Sequence, residues 1–172
     1  MLGNTYDGQA CSIARTLEIV GERWTLLILR DAVFAGLTRF SDFQRSLGIA
    51  TNVLRDRLDR LVADGILRRE PYSDDAAQYV PTEKGRALVP ALVALTAWGD
   101  EWAAPDGPPI VYRRPGCDGV VHPELRCEHG DPVAPGDLLV DIGPGMTEQR
   151  LAEMDAIRSS RARDPRLVAP AS

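Results

Sequence analysis

A chain of 172 residues, 44% of them apolar, has room for one ordinary domain with a buried core and an extension. No run approaches the ~20 apolar residues of a membrane span, and no positive segment followed by an apolar one marks the N-terminus for export, so we expect a cytoplasmic protein without a membrane partner. Three cysteines are too few, and odd in number, for a disulfide framework, and a net charge of −5 argues at first sight against a polyanionic partner.

The first ten residues are polar and read as a loose lead-in. A first helix is expected over about 11–20, with Ile13, Leu17 and Val20 on one side. A second runs from about 23 to 35, where Trp24, Leu27, Ile28 and Ala32 keep helical spacing and Leu26 and Leu29 widen the apolar face. Gly36 and Thr38 break it. Ser41 suits the cap of a short third helix that buries Phe40, Phe43 and Leu47 and ends at Gly48. A fourth helix starts near Thr51, carries the stripe Leu54, Leu58, Leu61 and Val62, and stops at Gly65.

Ile66 to Tyr72 then reads as a strand, Ser73 to Ala77 as a hairpin tip and Gln78 to Pro81 as a return strand. Thr82 is placed to cap a long helix reaching about Trp102, which Pro90 should kink or cost a hydrogen bond. From Pro105 the composition shifts to proline and glycine. Residues 110–142 read as short strands and turns, and one more helix is expected over about 147–160 before a disordered end. The expected segments are therefore 8–104, 105–146 and 147–172.

The charge is unevenly spread. Residues 39–70 carry a net +2, all of the basic part arginine, whereas residues 105–172 carry −3. Three helices with a fourth whose outer face is arginine-rich are what a helix-turn-helix requires, two helices holding a third in a DNA groove. Asn52, Arg55 and Asp56 face outward on the fourth helix, with Thr51 at its start. Arginine can donate two parallel bonds to guanine and asparagine the same to adenine, so these types suit base reading. The plain alternative is a solvated face with Arg55–Asp59 and Asp56–Arg60 pairs. Arg57 lies nearer the flank. Arg39 and Ser41, at the opening of the third helix, suit phosphate better than bases.

The order of elements is the winged-helix plan, and the residues resemble the HxlR-type regulators, relatives of the MarR-type proteins. The matching stretches are Cys11 to Arg15, Gly21 to Arg30, Arg39 to Leu47, Val53 to Leu58, Asp64 to Leu67, and Tyr79 to Leu88. The resemblance implies a mainly α fold with a small β-wing, here followed by the C-terminal extension. It implies a homodimeric bacterial repressor or activator that binds an inverted repeat in double-stranded DNA and answers to a small-molecule or redox signal. It implies no catalysis and no cofactor. The family usually carries a basic residue near the wing tip, whereas this chain has Asp74-Asp75-Ala76-Ala77, so the wing is expected to reach DNA through Arg68 and Arg69 at its base. The alternative is a winged-helix adaptor that binds protein and has lost DNA.

Three further groups are singled out. Leu88, Leu92, Leu95, Trp98 and Trp102 fall on one helical stripe outside the DNA-binding unit, where a second subunit is the natural cover. Cys11 opens the first helix with Arg15 one turn later, a setting that favours thiolate; the resemblance adds that a cysteine here senses oxidation in some members. Cys117, His122, Cys127 and His129 are zinc-ligand types, but the Cys127-x-His129 spacing is too tight for a structural knuckle, and we expect a metal-free remnant.

Overall fold

Helix α1 (Ser12–Val20) leads into α2 (Thr25–Phe34), whose Ile28, Leu29 and Ala32 are buried as the spacing predicted. The structure is a computed structural model that describes residue 6 and residues 11–73 and 76–162. Helix α3 (Phe40–Leu47) and helix α4 (Thr51–Ala63) follow, with Phe43, Leu54, Leu58 and Leu61 driven into the same core. Each such side chain contributes about 1.5–3 kcal/mol when fully buried, and these four carry the helix-turn-helix.

The end of α4 is fixed locally. Asp64 closes the helix, and Gly65 takes φ +69, a left-handed value that a Cβ would resist. The Gly65 N–H then donates to Val62 O at 3.0 Å and the Ile66 N–H to Leu61 O at 2.9 Å, the double bond pattern of a Schellman motif. Its apolar contact is present too, since Leu61 and Ile66 are both buried in the core.

The wing is an antiparallel pair, β1 (Leu67–Ser73) and β2 (Ala76–Pro81), in the register Leu67↔Pro81 to Pro71↔Ala77. A third short edge was not expected. Arg39 bridges Gln78, and the Tyr79 N–H donates to Thr38 O at 2.7 Å, so the start of α3 is stitched to β2. Ser41 lies one residue inside α3, whose cap position belongs to Arg39 in extended conformation with no side-chain cap bond. The strand edge claims the chain up to Arg39 and thereby moves the helix start ahead of the serine.

Thr82 does cap a helix, accepting from the Gly85 N–H at 3.1 Å, but that helix is the short α5 (Glu83–Arg86). The expected single long helix is divided. Helix α6 (Val89–Trp102) begins afresh with Pro90 in its first turn, where a missing N–H costs nothing. Gly85 is required by close approach: a Cβ there would stand 2.3 Å from Ile66 O.

Contacts divide the chain into two compact units, Ile19–Leu138 and the pair of segments up to Glu18 and from Leu139. This differs from the three expected segments. In the first unit, residues beyond 105 fold back on the helices: the Phe34 and Tyr112 rings lie 4.5 Å apart, and the Thr96 and Tyr112 hydroxyls 3.5 Å apart. The expected short strands reduce to single bridges, Arg113↔Val120 and Arg126↔Pro132, and a 3-10 turn at Pro135–Asp137. Prolines at 115, 123 and 132 remove the donors that longer ladders need. In the second unit, α7 (Glu148–Ala162) begins after Thr147, whose hydroxyl accepts from the Arg150 N–H at 3.3 Å. The end expected to be disordered lies beyond 162, outside the described residues. Among the described residues no helix is long and apolar enough to cross a membrane.

Candidate nucleic-acid interface

Helix α4 presents two faces. Leu54, Leu58 and Leu61 point inward, while Thr51, Asn52, Arg55, Asp56, Asp59 and Arg60 are exposed. The 3.6-residue period produces this division, and it leaves 52, 55, 56 and 59 on one outward row. Ala50 occupies the cap position without a side-chain bond, so the first-turn amides of α4 are not capped by their own chain. Thr51 is tied instead to the preceding helix, its hydroxyl accepting from Gln44 Nε2 at 2.8 Å.

The charges on this surface fall into two groups. Four of the arginines between 39 and 69 are held by carboxylates: Arg45 by Asp42, Arg57 and Arg60 by Asp56, and Arg68 by Glu70. Arg39, Arg55 and Arg69 are exposed and have no carboxylate partner among the described residues. A guanidinium already paired must give up its partner to meet phosphate, whereas an unpaired one only sheds water and counterions. Of the two pairs in the plain alternative, Asp56–Arg60 forms at 3.9 Å, whereas among the described residues Arg55 and Asp59 are not paired.

Two residues expected at the interface are engaged within the chain. Arg57 has only 15% of its side chain exposed; Nη2 lies 2.9 Å from Asp56 Oδ2 and Nη1 3.8 Å from Glu22 Oε1, with Nε buried and unpartnered. Four residues from both Val53 and Leu61, it lies at the flank of the core, as its angle on the helix led us to expect. Asp56 is exposed, but its carboxylate is engaged by Arg57 and Arg60 at 2.9 and 3.9 Å. It neutralises the helix from within.

At the wing, Arg69 stands opposite Tyr79 and faces solvent. Arg68 is occupied: its Nε donates to Glu70, and its Nη1 to Pro81 O at 3.4 Å. The Arg68 hydrogen bond, opposed by partial desolvation and aided by the same guanidinium's charge and by Gln78, holds the Glu70 carboxyl below its ordinary range. The Glu70 carboxylate therefore stays ionised at neutral pH. Arg39 lies with its guanidinium carbon 4.9 Å from the centre of the Tyr72 ring, a partner that sequence spacing had not revealed.

A buried network supports the helix-turn-helix. Asp31, 5% exposed, accepts from Arg30 Nε at 2.8 Å and from Ser46 Oγ at 2.7 Å, linking α2 to α3. A carboxylate inside an apolar helical run signals that a partner must exist, although not which one.

The other candidates divide as follows. Leu92 is buried in the chain's own core, and Leu88 is half-buried against it. Leu95, Trp98 and Trp102 are 54%, 63% and 68% exposed. Cys11 is exposed at the start of α1, but Arg15 is paired with Glu18 at 2.9 Å rather than committed to the thiol. Cys117, His122, Cys127 and His129 are exposed, and among the described residues no three His, Cys, Asp or Glu side chains converge as a metal site. Residues Val93, Thr96, Ala97, Asp100, Tyr112 and Val121 line a cleft of about 310 Å³ between α6 and the returning extension.

Comparison with known proteins agrees with this layout. The family model described as HxlR-like helix-turn-helix matches residues 19–107. An uncharacterized HTH-type transcriptional regulator of Mycobacterium tuberculosis is 44% identical over 148 residues, covering 84% of this chain and 92% of that protein. A solved structure of a candidate transcription factor from Pseudomonas aeruginosa is 40% identical with a TM-score of 0.61, covering 83% of this chain and 99% of that one. The redox regulator HypR in its reduced form is 31% identical with a TM-score of 0.50, covering 53% of this chain and 92% of that one. These relatives are regulators and not enzymes. An arginine-bearing helix held by a helix-turn-helix core, a two-stranded wing and a family match over half the chain lead to one assignment: the protein belongs to the HxlR-like helix-turn-helix family and is a DNA-binding transcriptional regulator.

Proposed function

We propose that the protein is a cytoplasmic homodimer that reads an inverted-repeat operator with α4 and changes its affinity in response to a small molecule or an oxidant. The observation that carries the DNA part is the set of guanidinium groups without a carboxylate partner among the described residues, Arg39 at the cap of α3, Arg55 on α4 and Arg69 on the wing. Arg55 and Asn52 are assigned to base edges, and Arg39, Ser41, Thr51, Arg69 and the open first turn of α4 to phosphates. Arg57, Asp56 and Arg68 are assigned supporting parts, because carboxylate partners or carboxylate duty already occupy them.

The dimer is supported by Leu95, Trp98 and Trp102, large apolar groups on one stripe of α6 that face water in a single chain. Two symmetric α4 helices then require half-sites about 34–36 Å apart, or a multiple of that. The cleft beside α6 supports a small-molecule effector, and the likeness to a redox regulator together with the exposed Cys11 supports an oxidant.

Selection of duplexes from a random pool, followed by binding across a salt series, tests the reading. A palindromic consensus and a log–log salt slope of several units are expected. Affinity indifferent to both sequence and salt would return the chain to the adaptor reading. Light scattering showing a monomer at micromolar concentration sinks the dimer. For the redox arm, Cys11→Ser should abolish a loss of operator binding caused by mild peroxide and reversed by thiol; an identical response in both proteins leaves the cleft as the sensing site.

A further inference from the structure

The wing departs from regular pairing at one point. Pro71 faces Ala77 and Ser73 faces Ala76, so Tyr72 has no opposite residue and forms a one-residue bulge. A bulge bends its strand and re-aims the side chain of the extra residue. Here the re-aimed ring meets Arg39, whose guanidinium carbon lies 4.9 Å from the ring centre, inside the ~6 Å over which an aromatic face attracts a cation. Arg39 is delivered to this place by its backbone, which bridges Gln78 of β2 while Thr38 O accepts from the Tyr79 N–H at 2.7 Å.

The electrostatics of the neighbourhood make the contact consequential. Arg68, on the same sheet, is held by Glu70, whereas Arg39 has no carboxylate partner among the described residues. A long unanchored arginine loses much rotamer freedom when it settles on a phosphate. Stacking uses the flat face of a guanidinium, and phosphate uses its N–H edge, so the two interactions do not compete. A ring stacked on the guanidinium face would restrict Arg39 before DNA arrives and leave its donors available.

We propose that Tyr72 is a positioning residue for DNA binding: its bulged ring holds the Arg39 guanidinium at the seam of wing and α3 with its N–H edge turned to a phosphate. This rests on the DNA-binding reading above. The probe is a duplex selected from a random pool by the wild-type protein, and binding is followed by fluorescence anisotropy over a salt series. Arg39→Ala should weaken binding about five- to tenfold and lower the log–log salt slope by about 0.9, one phosphate contact. Tyr72→Leu should weaken it about three- to fivefold with a similar fall in slope, and Tyr72→Phe should stay within about twofold of wild type. The double variant Arg39→Ala/Tyr72→Leu should bind no worse than Arg39→Ala alone.

Additive losses overturn the proposal, and a wing loosened by leucine would produce that additivity. So does Tyr72→Leu with wild-type affinity and slope, or Tyr72→Phe as weak as Tyr72→Leu, which would assign the effect to the hydroxyl. If the wild-type protein itself selects no sequence and shows no salt slope, the DNA reading fails and takes this proposal with it, a result distinct from a failure confined to the Tyr72 variants.

Discussion

Helices α4 and α6 are of similar length and both carry an apolar stripe, yet they are finished in opposite ways. In α4 the leucines at 54, 58 and 61 are buried by the chain's own α2, α3 and β1, and the outward face is polar. In α6 only Leu92 reaches that core, and the rest of the stripe, Leu95, Trp98 and Trp102, faces outward. One helix is complete within the chain and offers charge; the other offers apolar area and lacks its cover. The contrast teaches that a stripe read from sequence records what must be buried without saying by whom. Leu92 and Leu95, three residues apart on the same stripe, fall on opposite sides of that question.

The largest effect that would break the comparison lies in the core. Leu58→Ala should destabilise the folded chain by about 2–5 kcal/mol in urea unfolding, as lost transfer energy plus a cavity, whereas Leu95→Ala should leave the monomer within about 0.5 kcal/mol of wild type. Equal losses at both positions would erase the distinction between a self-completed helix and an open one.

Next comes the open face itself. Trp98→Glu should weaken self-association by about 2 kcal/mol or more, read by sedentation-equilibrium ultracentrifugation, and operator affinity should fall with it. A variant that still dimerises with wild-type affinity would remove α6 from the interface.

The charged face is tested by a pair of arginines. Arg55→Ala should cost specific binding about 1–3 kcal/mol and relax preference at one position of each half-site. Arg57→Ala should act instead on folding stability, because its guanidinium is mostly buried against Asp56 and Glu22. Reversal of these two outcomes would mean that α4 is turned the other way toward DNA.

The smallest effect sharpens the account of paired and unpaired charge. Glu70→Gln should release Arg68 and raise DNA affinity about two- to fivefold with a steeper salt slope. Acidification should not imitate it near neutrality. The folded-state pKa of Glu70 is depressed by Arg68, so the pair's contribution is present above the ordinary carboxylate range and is lost only as pH falls through that lower value. Unchanged affinity for Glu70→Gln between pH 6 and 8 would show that Arg68 takes no part even when freed.

Much of the fold was legible because it is written in short-range signals. The leucines of α4 keep a 3.6 period, Gly65 supplies a left-handed stop, and Thr82 caps the helix that follows it. The outward placement of Asn52 and Arg55 follows from the same period, so the centre of the proposed interface was readable too. The misread points share a cause. Ser41 lost the cap position to a strand edge formed with β2, and the helix expected to run from Thr82 to Trp102 was divided ahead of Pro90.

Period and turn chemistry in the sequence therefore determined the elements, their order and the inward and outward faces of the helix-turn-helix, because each depends on residues within a turn or two of one another. Only the tertiary structure decided which charges remain available. Glu22 approaches Arg57 from the turn ahead of α2, and the bulge at Tyr72 meets Arg39 across the wing. Asp31 finds Ser46 on the next helix. Pairings of this kind depend on where the packed core sets down distant segments, and a Coulomb or stacking contact that is decisive at about 4 Å is spent within roughly a Debye length.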